Sequence, residues 1–384
     1  MHGKKICRRA CLAVATTALA IQVCACGGNG TAAVSPTSTR IGLVSIVSNH
    51  LQRDGAAWVP HGYFQVAFEA PPAVKALTYE VNATQDYTPQ EYTDMMNAKA
   101  DSVRLMLAQT AGDADPQNPD YADYSAALTQ QFVGAVQAAR NAGLTVIMGI
   151  QDEAVTGELH PLYLPSAATD RVWSQLFQFA PQFKTDKGIL LELFNEPGPG
   201  PSQIPTTTDW ANWAAAMNAT IASVRSEGAT NVVIADGLAH AETLTGAPSL
   251  TDPLNQLAYA AHPYAFQESD EQPGFWNTSF GNFAATNPVI ITEWGQGYYC
   301  AADNATTLVK FLNYLQTRGI GLEMGAWDWG AASSYGTARY NFPNAQFSSF
   351  YTNGVFNTCG TPARGPGLTV NAWYATGVIP GTAL

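Results

Sequence analysis

Short apolar runs alternate with longer segments of helical periodicity along most of the chain. The apolar runs predict eight strands, Val59–Phe64, Ser102–Leu107, Leu144–Ile150, Gly188–Phe194, Asn231–Ala235, Leu257–Ala261, Pro288–Thr292 and Ile320–Trp327. The predicted helices between them are Pro89–Ala100, Tyr121–Asn141, Trp173–Phe183, Asp209–Glu227 (with Asp209 as N-cap) and Ala302–Arg318. Strands that are apolar throughout are typical of a parallel sheet covered on both faces. The pattern therefore predicts an α/β fold, a single-domain (β/α)8 TIM barrel.

Polar side chains recur at one place in this pattern, where a strand ends and its loop begins. They are Arg104, Gln151, Asn195, Glu196, His262, Tyr264, Glu293 and Trp327. In a (β/α)8 barrel the carboxyl ends of the strands carry the binding and catalytic residues. We therefore expect these side chains to line one cleft. Glu192 and Glu323 lie inside predicted strands and are interpreted as structural.

Two predicted strands share one design, an apolar run with a glutamate at its end. Glu196 follows the fourth predicted strand and Glu293 the seventh. Taken singly, each could be a solvated loop residue. Strands four and seven face each other across an eight-stranded barrel, however, so the two carboxyl groups converge on one cleft. A facing pair of carboxyls is what glycosidic bond cleavage requires, one as acid and the other as nucleophile.

Four motifs in this order carry a family resemblance. They are Asn195-Glu196-Pro197, His262-Pro263-Tyr264, Thr292-Glu293-Trp294-Gly295 and Trp327 within Gly325-Ala326-Trp327-Asp328-Trp329. Together they resemble glycoside hydrolase family 5, the cellulase and mannanase family, over about residues 50–360. The resemblance implies a retaining enzyme that cleaves β-linked glycans of endo-β-glucanase or β-mannanase type and needs neither a metal nor an organic cofactor.

The resemblance also implies a role for each matching residue. Glu196 would be the acid/base and Glu293 the nucleophile. Arg104 would keep Glu293 ionised and oriented, and Asn195 would hydrogen-bond the 2-hydroxyl of the sugar in the reacting subsite. Tyr264 would hydrogen-bond Glu293.

Three further positions complete the implied pocket. His262 would line it, and Trp327, which we favour over Trp329 on the same strand end, would form the sugar platform. One position departs from the family, because Gln151 stands at the end of the third strand where members usually carry a histidine. Glutamine can hydrogen-bond a sugar hydroxyl but cannot carry a proton.

Two other functions stay open at this point. Transglycosylation would use the same residues, with a sugar hydroxyl in place of water. A carbohydrate-binding protein without catalysis is the other alternative, and the departure at Gln151 gives it some weight.

The net charge of the chain limits which kinds of molecule it can bind. The formal net charge is −12 and only 12% of residues are charged. This balance excludes a basic nucleic-acid surface and charge-driven binding to an anionic membrane. A low-charge, aromatic-rich chain suits a neutral poly- or oligosaccharide, and we expect a monomer.

The first 26 residues have the pattern of a bacterial export signal, with Lys4–Arg9 basic and Ala10–Ala25 apolar. Val23–Gly28 resembles a lipobox, so we expect lipidation of Cys26; ordinary cleavage nearby is the alternative. Residues 27–40 are interpreted as a flexible linker and residues 41–384 as the catalytic domain. We expect a secreted protein or an outer-membrane or cell-surface lipoprotein, with the lipid as its sole membrane contact.

The domain has two cysteines, Cys300 and Cys359. In an exported chain they form either one disulfide, which we favour, or two separate thiols. Their spacing is not that of metal ligands.

Overall fold

A computed structural model describes residues 42–65, 89–118, 121–151, 164–199, 203–264, 271–295, 302–325, 327, 351–352, 355–356 and 366–381. Eight parallel strands form the central sheet: β4 (His61–Gln65), β5 (Ser102–Ala108), β6 (Thr145–Gln151), β7 (Ile189–Glu192), β8 (Val233–Asp236), β9 (Leu257–Ala260), β10 (Val289–Trp294) and β11 (Gly321–Met324). They close into a barrel in the order β10-β11-β4-β5-β6-β7-β8-β9. The predicted (β/α)8 barrel is therefore confirmed.

Helices separate most of the strands along the described chain, but the connection from β8 to β9, residues 237–256, contains none. The α-helices are Pro89–Asn97, Gln109–Gly112, Ala126–Ala142, Ala167–Phe179, Thr207–Ser226, Pro273–Trp276, Ala302–Arg318 and Pro366–Thr376. Short 3-10 turns at Tyr121–Asp123, Pro181–Lys184 and Phe283–Ala285 and a π-helical turn at Asn277–Gly281 complete the connections. In the part of the chain that the structure describes, no helix is both long and apolar enough to span a membrane.

Capping boxes fix the start of two of the described helices. Ser166 and Thr169 form a capping box at the start of Ala167–Phe179. Thr206 and Asp209 form another at the start of Thr207–Ser226. The predicted N-cap Asp209 is thus wrong by one turn, because its carboxylate bonds back to the Thr206 backbone from the third helical position.

The amino-terminal end of the barrel is closed by an antiparallel sheet that the apolar pattern does not predict. It consists of β1 (Val44–Val47), β2 (His50–Arg53) and β3 (Ala56–Ala57). Val44 and Leu51 from this sheet, and Trp58 just after it, pack on the aliphatic side chains inside the barrel floor. Val44 N donates to Lys187 O at 2.9 Å, just before β7, and the Ile46 backbone exchanges two hydrogen bonds with the Gln256 side chain, just before β9; these bonds hold the sheet.

Two predicted strands end earlier than the apolar pattern suggests. β7 ends at Glu192 and β11 at Met324, although the apolar runs continue beyond both. After β7 the backbone leaves the ladder, and the Asn195 amide donates to Ile150 O at 2.8 Å. The residues after β7 thereby reach over the carboxyl end of the barrel, which is the face opposite the closing sheet.

A carboxyl group occupies the barrel interior near its floor. Glu323 is fully buried and accepts a hydrogen bond of 2.5 Å from Ser102 Oγ. A Cβ at Gly62 would lie 1.9 Å from Glu323 Oε2, so only glycine fits there. Burial raises the pKa of Glu323 well above its usual range, and a neutral acid suits this structural position.

Candidate active site

Glu196 and Glu293 meet at the carboxyl end of the barrel. One carboxyl oxygen of each lies within 4.8 Å of the other. Each side chain is 16% exposed, so both can be reached by a ligand. The sequence-predicted pair therefore shares one partly buried cleft.

Arg104 lies beneath this pair and contacts three other side chains. It is fully buried on β5. Its Nη1 donates to Glu293 Oε2 at 2.7 Å, its Nε donates to Glu192 Oε2 at 2.7 Å, and its Nη2 donates to Asn195 Oδ1. The guanidinium thus holds one oxygen of Glu293 and provides positive charge where two carboxylates converge.

Glu192 belongs to the site, which corrects its interpretation as a purely structural strand residue. It is fully buried and points into the barrel toward Arg104. Burial alone would raise its pKa, but the charge and hydrogen bonds of Arg104 outweigh burial and lower it. Glu192 is therefore an ionised carboxylate that the guanidinium compensates.

Asn195 and Gln151 are hydrogen-bonded to each other. Asn195 Nδ2 donates to Gln151 Oε1 at 2.8 Å, while its Oδ1 accepts from Arg104. The two neighbours fix the orientation of the Asn195 amide and leave its second N–H for a ligand. Gln151 is buried, so its described role is to orient Asn195, a task that needs an acceptor but no charge.

A directional chain of hydrogen bonds runs from Glu196 to Glu192. Thr292 Oγ1 donates to Glu192 Oε1 at 2.8 Å. Because its one proton is used there, Thr292 accepts from His262 Nε2, also at 2.8 Å. Burial lowers the pKa of His262 to about 4, so its ring is neutral and its Nδ1 carries a lone pair. The 2.9 Å contact between Nδ1 and Glu196 Oε1 then requires a proton on Glu196.

The environment of Glu196 agrees with that proton. Burial raises its pKa, against the opposing charges of His240 and Arg104. Its backbone is left-handed, with φ at +47°, which for a non-glycine residue costs about 1–3 kcal/mol and persists only where the surroundings enforce it. The Glu196 amide donates to Asp236 Oδ2 at 3.0 Å.

Tyr264 contacts the second oxygen of Glu293. Its hydroxyl donates to Glu293 Oε1 at 2.9 Å. With Arg104 on Oε2, each carboxylate oxygen accepts from one donor, and the two donors together fix the orientation of the carboxylate.

Trp327 does not offer the sugar platform expected of it. Its side chain is fully buried, packs at 4.6 Å from the Tyr63 ring and donates through Nε1 to Glu91. A fully buried indole has no face open to a ligand, so Trp327 acts here as a packing residue. Trp329, Cys26, Cys300 and Cys359 lie outside the described residues.

Beside Glu196 the chain forms a strained turn after β8. Three consecutive non-glycine residues, Ala239, His240 and Ala241, have left-handed φ angles of 60°, 56° and 56°. The turn is pinned on the side of the site, where His240 N donates to Pro197 O at 3.1 Å and His262 N donates to Ala241 O at 2.8 Å. Strain of this kind is maintained by such contacts and often marks a functional site.

A cavity of about 970 Å³ adjoins the other side of this turn. Residues 203–211, 239–248 and 275–279, which follow β7, β8 and β9, supply its lining. The lining consists mostly of neutral polar and apolar side chains, including Ile204, Trp210, Thr245 and Phe275, with one acid, Glu242. Such a surface suits a neutral, hydroxyl-rich ligand.

Sequence reasoning missed four residues of this site: Glu192, Asp236, His240 and Thr292. For Asp236 the signal was available, since it ends an apolar strand as Glu196 and Glu293 do. The position of His240 depends on a turn that alanine-rich sequence does not predict.

Two sets of donors come close enough to surround a cation, Glu192–Asp236–His262 and Glu196–His262–Glu293. Arg104 already contacts a carboxylate of each set. A guanidinium thus supplies the positive charge that a metal would otherwise contribute.

Comparison with known proteins agrees with this fold. Residues 71–333 match the cellulase family, glycosyl hydrolase family 5. The β-glucanase SdGluc5_26A from Saccharophagus degradans is similar in structure, with a TM-score of 0.54 and 18% identity over 75% of this chain and 85% of that one. The endo-β-1,4-glucanase Xac0029 from Xanthomonas axonopodis pv. citri has a TM-score of 0.54 and 17% identity over 83% of this chain and 98% of that one.

The family match spans well over half of the chain, and the eight-stranded barrel is the fold of the similar enzymes. The chain therefore belongs to the cellulase family, glycosyl hydrolase family 5, and is an O-glycosyl hydrolase.

Proposed function

We propose that this enzyme is a retaining hydrolase of β-linked glucan or mannan, with Glu293 as nucleophile and Glu196 as acid/base. The observation that carries the proposal is the pair of carboxyls within 4.8 Å of each other in opposite environments. Glu293 accepts hydrogen bonds from two donors, whereas burial raises the pKa of Glu196. Retaining enzymes place their two carboxyl groups about 5–5.5 Å apart, whereas inverting enzymes leave room for a water between them.

In the first step Glu293 attacks the anomeric carbon. A bond forms between that carbon and a Glu293 oxygen while the glycosidic carbon–oxygen bond breaks. Glu196 gives its proton to the departing oxygen. Arg104 and Tyr264 keep the nucleophile in place and ionised until the bond forms.

In the second step Glu196, now a carboxylate, removes a proton from water. The water oxygen attacks the anomeric carbon, and the ester bond to Glu293 breaks, which restores both carboxyls. In the first step Glu293 loses its negative charge and Glu196 gains one, and the second step reverses this exchange. Arg104 and ionised Glu192 therefore face a constant total charge, and the buried network need not reorganise.

The neutral ring of His262 favours this exchange. In the free enzyme the protonated Glu196 donates to Nδ1, which holds its carboxyl in orientation, and this hydrogen bond is given up when the proton passes to the departing oxygen. Once Glu196 has lost its proton, its carboxylate oxygen faces the lone pair of His262 Nδ1, and this repulsion raises the proton affinity of Glu196. A raised proton affinity suits a group that must next act as a base.

Asn195 is the proposed hydrogen-bond donor to the sugar in the reacting subsite. Its Oδ1 and one N–H are engaged by Arg104 and Gln151, so the remaining N–H is the donor it can offer. We assign that donor to the 2-hydroxyl of the reacting sugar, a contact that strengthens in the transition state.

Removal of Glu196 should have an effect that depends on the leaving group. Glu196→Ala is expected to lower kcat on a polysaccharide by about 10²–10⁴-fold, the usual contribution of an acid catalyst. An activated aryl glycoside needs no proton to leave, so formation of the glycosyl-enzyme should be little affected. Pre-steady-state kinetics with both substrates measure this difference. An equal loss on both would contradict the role of Glu196.

The cavity beside the Leu238–Thr243 turn is proposed to hold the leaving-group part of the glycan. It lies among loops after β7, β8 and β9, on the side of Glu196, which comes from β7 and protonates the departing oxygen. Glu293 comes from β10 and lies across the barrel. A chain that extends into this cavity would be cut internally, which supports endo action.

Phe275 tests this placement because it lines the cavity and is partly exposed. Phe275→Ala should lower kcat/KM on a polysaccharide by about tenfold, the size of one lost apolar contact, and leave an aryl glycoside unaffected. The control is Phe179→Ala, which removes an exposed phenylalanine at the end of another helix. A parallel loss on both substrates would place the glycan elsewhere.

The substrate is identified by a reducing-sugar assay across cellulose, mixed-linkage glucan, mannan and xyloglucan. Glu293→Ala serves as the blank in every reaction. We expect release of reducing ends from at least one β-glucan or β-mannan by the wild type alone. Equal release by the variant would contradict the proposed site.

We also propose that the enzyme is exported and anchored by a lipid on Cys26. The basic and apolar segments of residues 1–26 and the lipobox-like Val23–Gly28 support this. Mass spectrometry of the mature chain should find a diacylated Cys26 at its amino terminus. An unmodified amino terminus would contradict lipidation and leave ordinary secretion.

A further inference from the structure

Asp236 is a buried acid to which the mechanism above gives no task. It ends β8, is fully buried and lies below Glu196. Its backbone is fixed on both sides, since Trp213 Nε1 donates to Asp236 O at 2.9 Å and Gly237 N donates to Ala260 O at 3.0 Å. Its carboxyl group therefore has a defined position beneath the acid/base.

The two oxygens of this carboxyl have different surroundings. Oδ2 accepts from the backbone amide of Glu196 at 3.0 Å. Oδ1 is buried and accepts from no donor among the described residues. One oxygen of the Glu192 carboxyl, however, lies within 4.8 Å of one oxygen of the Asp236 carboxyl, and both side chains are fully buried. Two buried carboxyls this close avoid repulsion when one of them is protonated, and that proton can then lie between them.

The charges around the pair decide which acid holds the proton. Arg104 bonds both oxygens of Glu192, and Thr292 donates to the same carboxylate, so Glu192 is the ionised partner. The groups that face Asp236 are Glu192 on β7, Arg104 on β5, the Glu196 amide and His262 Nε2, which lies 3.8 Å from Oδ2. Burial and the charge of Glu192 raise the pKa of Asp236 well above its usual range.

We propose that Asp236 is a positioning residue that remains protonated, donates its proton to Glu192 and holds Glu196 in its left-handed backbone conformation. The proposal rests on the function proposed above, since Glu196 is the group it positions. A neutral Asp236 couples the strained backbone of the acid/base to the Arg104–Glu192 pair without adding a second buried negative charge.

Asparagine and alanine separate this proposal from a merely structural role. Asp236→Asn keeps an acceptor for the Glu196 amide and a donor for Glu192, so it mimics the protonated acid. Asp236→Ala removes both. We expect Asp236→Ala to lower kcat by about 100-fold through misplacement of Glu196, with little change in KM, and Asp236→Asn to recover most of that loss.

The pH profile supplies a readout that packing alone would not move. If Asp236 were ionised, its charge would help to keep the proton on Glu196. Its replacement by asparagine would then shift the alkaline limb of kcat/KM to lower pH. A protonated Asp236 carries no charge, so Asp236→Asn should leave the limb in place. A downward shift of about one pH unit or more would overturn the proposal.

A second measurement needs no catalysis and so separates a failure here from a failure of the proposed function. A carboxyl with a raised pKa in the folded state costs stability as the pH rises above the pKa of the unfolded chain. The Tm of the wild type should therefore fall more between pH 5 and pH 8 than that of Asp236→Asn. Equal falls would show that Asp236 holds no extra proton and would contradict the proposal, whatever the enzyme cleaves.

Discussion

Glu293→Ala should reduce kcat on the polysaccharide substrate by roughly 10⁴–10⁶-fold, the range seen when a covalent nucleophile is lost. The carboxylate that would form the glycosyl-enzyme is then absent, although Arg104 and Tyr264 still line the pocket. The fold should survive, because Glu293 is partly exposed and Arg104 keeps its buried partner Glu192. Steady-state kinetics and a thermal melt of the same preparation measure the two effects.

A matched control removes a glutamate far from the cleft. The control is Glu227→Gln. Glu227 is the C-cap of the helix Thr207–Ser226, and its carboxylate accepts from Ser174 Oγ. The substitution should leave kcat within about twofold of the wild type, as expected of a surface change away from special features. Wild-type activity in Glu293→Ala would exclude this residue as the nucleophile.

Arg104→Met should damage both stability and activity. It leaves Glu192 as an unpaired, fully buried carboxylate, which typically costs about 3–5 kcal/mol. It also removes the donor from Glu293 Oε2. We expect the free energy of unfolding to fall by that amount in denaturant titrations, and kcat per folded molecule to fall by about 10²-fold or more from misplacement of the nucleophile.

The contribution of Glu192 to the pH dependence of stability should have opposite signs in the wild type and in Arg104→Met. In the wild type the pKa of Glu192 is lowered, so its contribution is present above the unfolded-state pKa and is lost as the pH falls through the folded-state value. In Arg104→Met the unpaired Glu192 prefers to be neutral, so acidification should stabilise the variant. A variant that loses stability on acidification as the wild type does would contradict the buried ion pair.

Two comparisons isolate the role of Arg104 in catalysis. Arg225→Met breaks another buried pair, in which Nε donates to Asp252 Oδ1 at 2.7 Å, away from the site. It should cost stability without lowering kcat per folded molecule. Arg104→Met combined with Glu192→Gln removes both charges and should recover part of the stability but none of the activity.

Much of the barrel is predictable because its strands are nearly uninterrupted apolar runs separated by capped helices. The convergence of Glu196 and Glu293 follows from strand order alone, since strands four and seven face each other. The closing sheet Val44–Ala57 is not predictable in the same way. Its strands are short and only half buried, and they gain their order from the barrel floor rather than from their own pattern.

The network beneath the two glutamates is harder to predict than the glutamates themselves. Glu192 resembles any strand residue until its neighbours show that it faces the interior next to Arg104. The burial of Trp327 depends on contacts with Tyr63 and Glu91, which are distant in sequence. Such roles depend on which face of a strand points inward and on long-range packing, and neither is encoded in a local motif.

Double displacement through Glu293 should retain the configuration of the anomeric carbon. The measurement is ¹H NMR of the first products released from a cleaved β-glucan or β-mannan, before the anomers equilibrate. The β-anomer should appear first and the α-anomer later by mutarotation. Initial release of the α-anomer would show inversion and would contradict a covalent intermediate on Glu293.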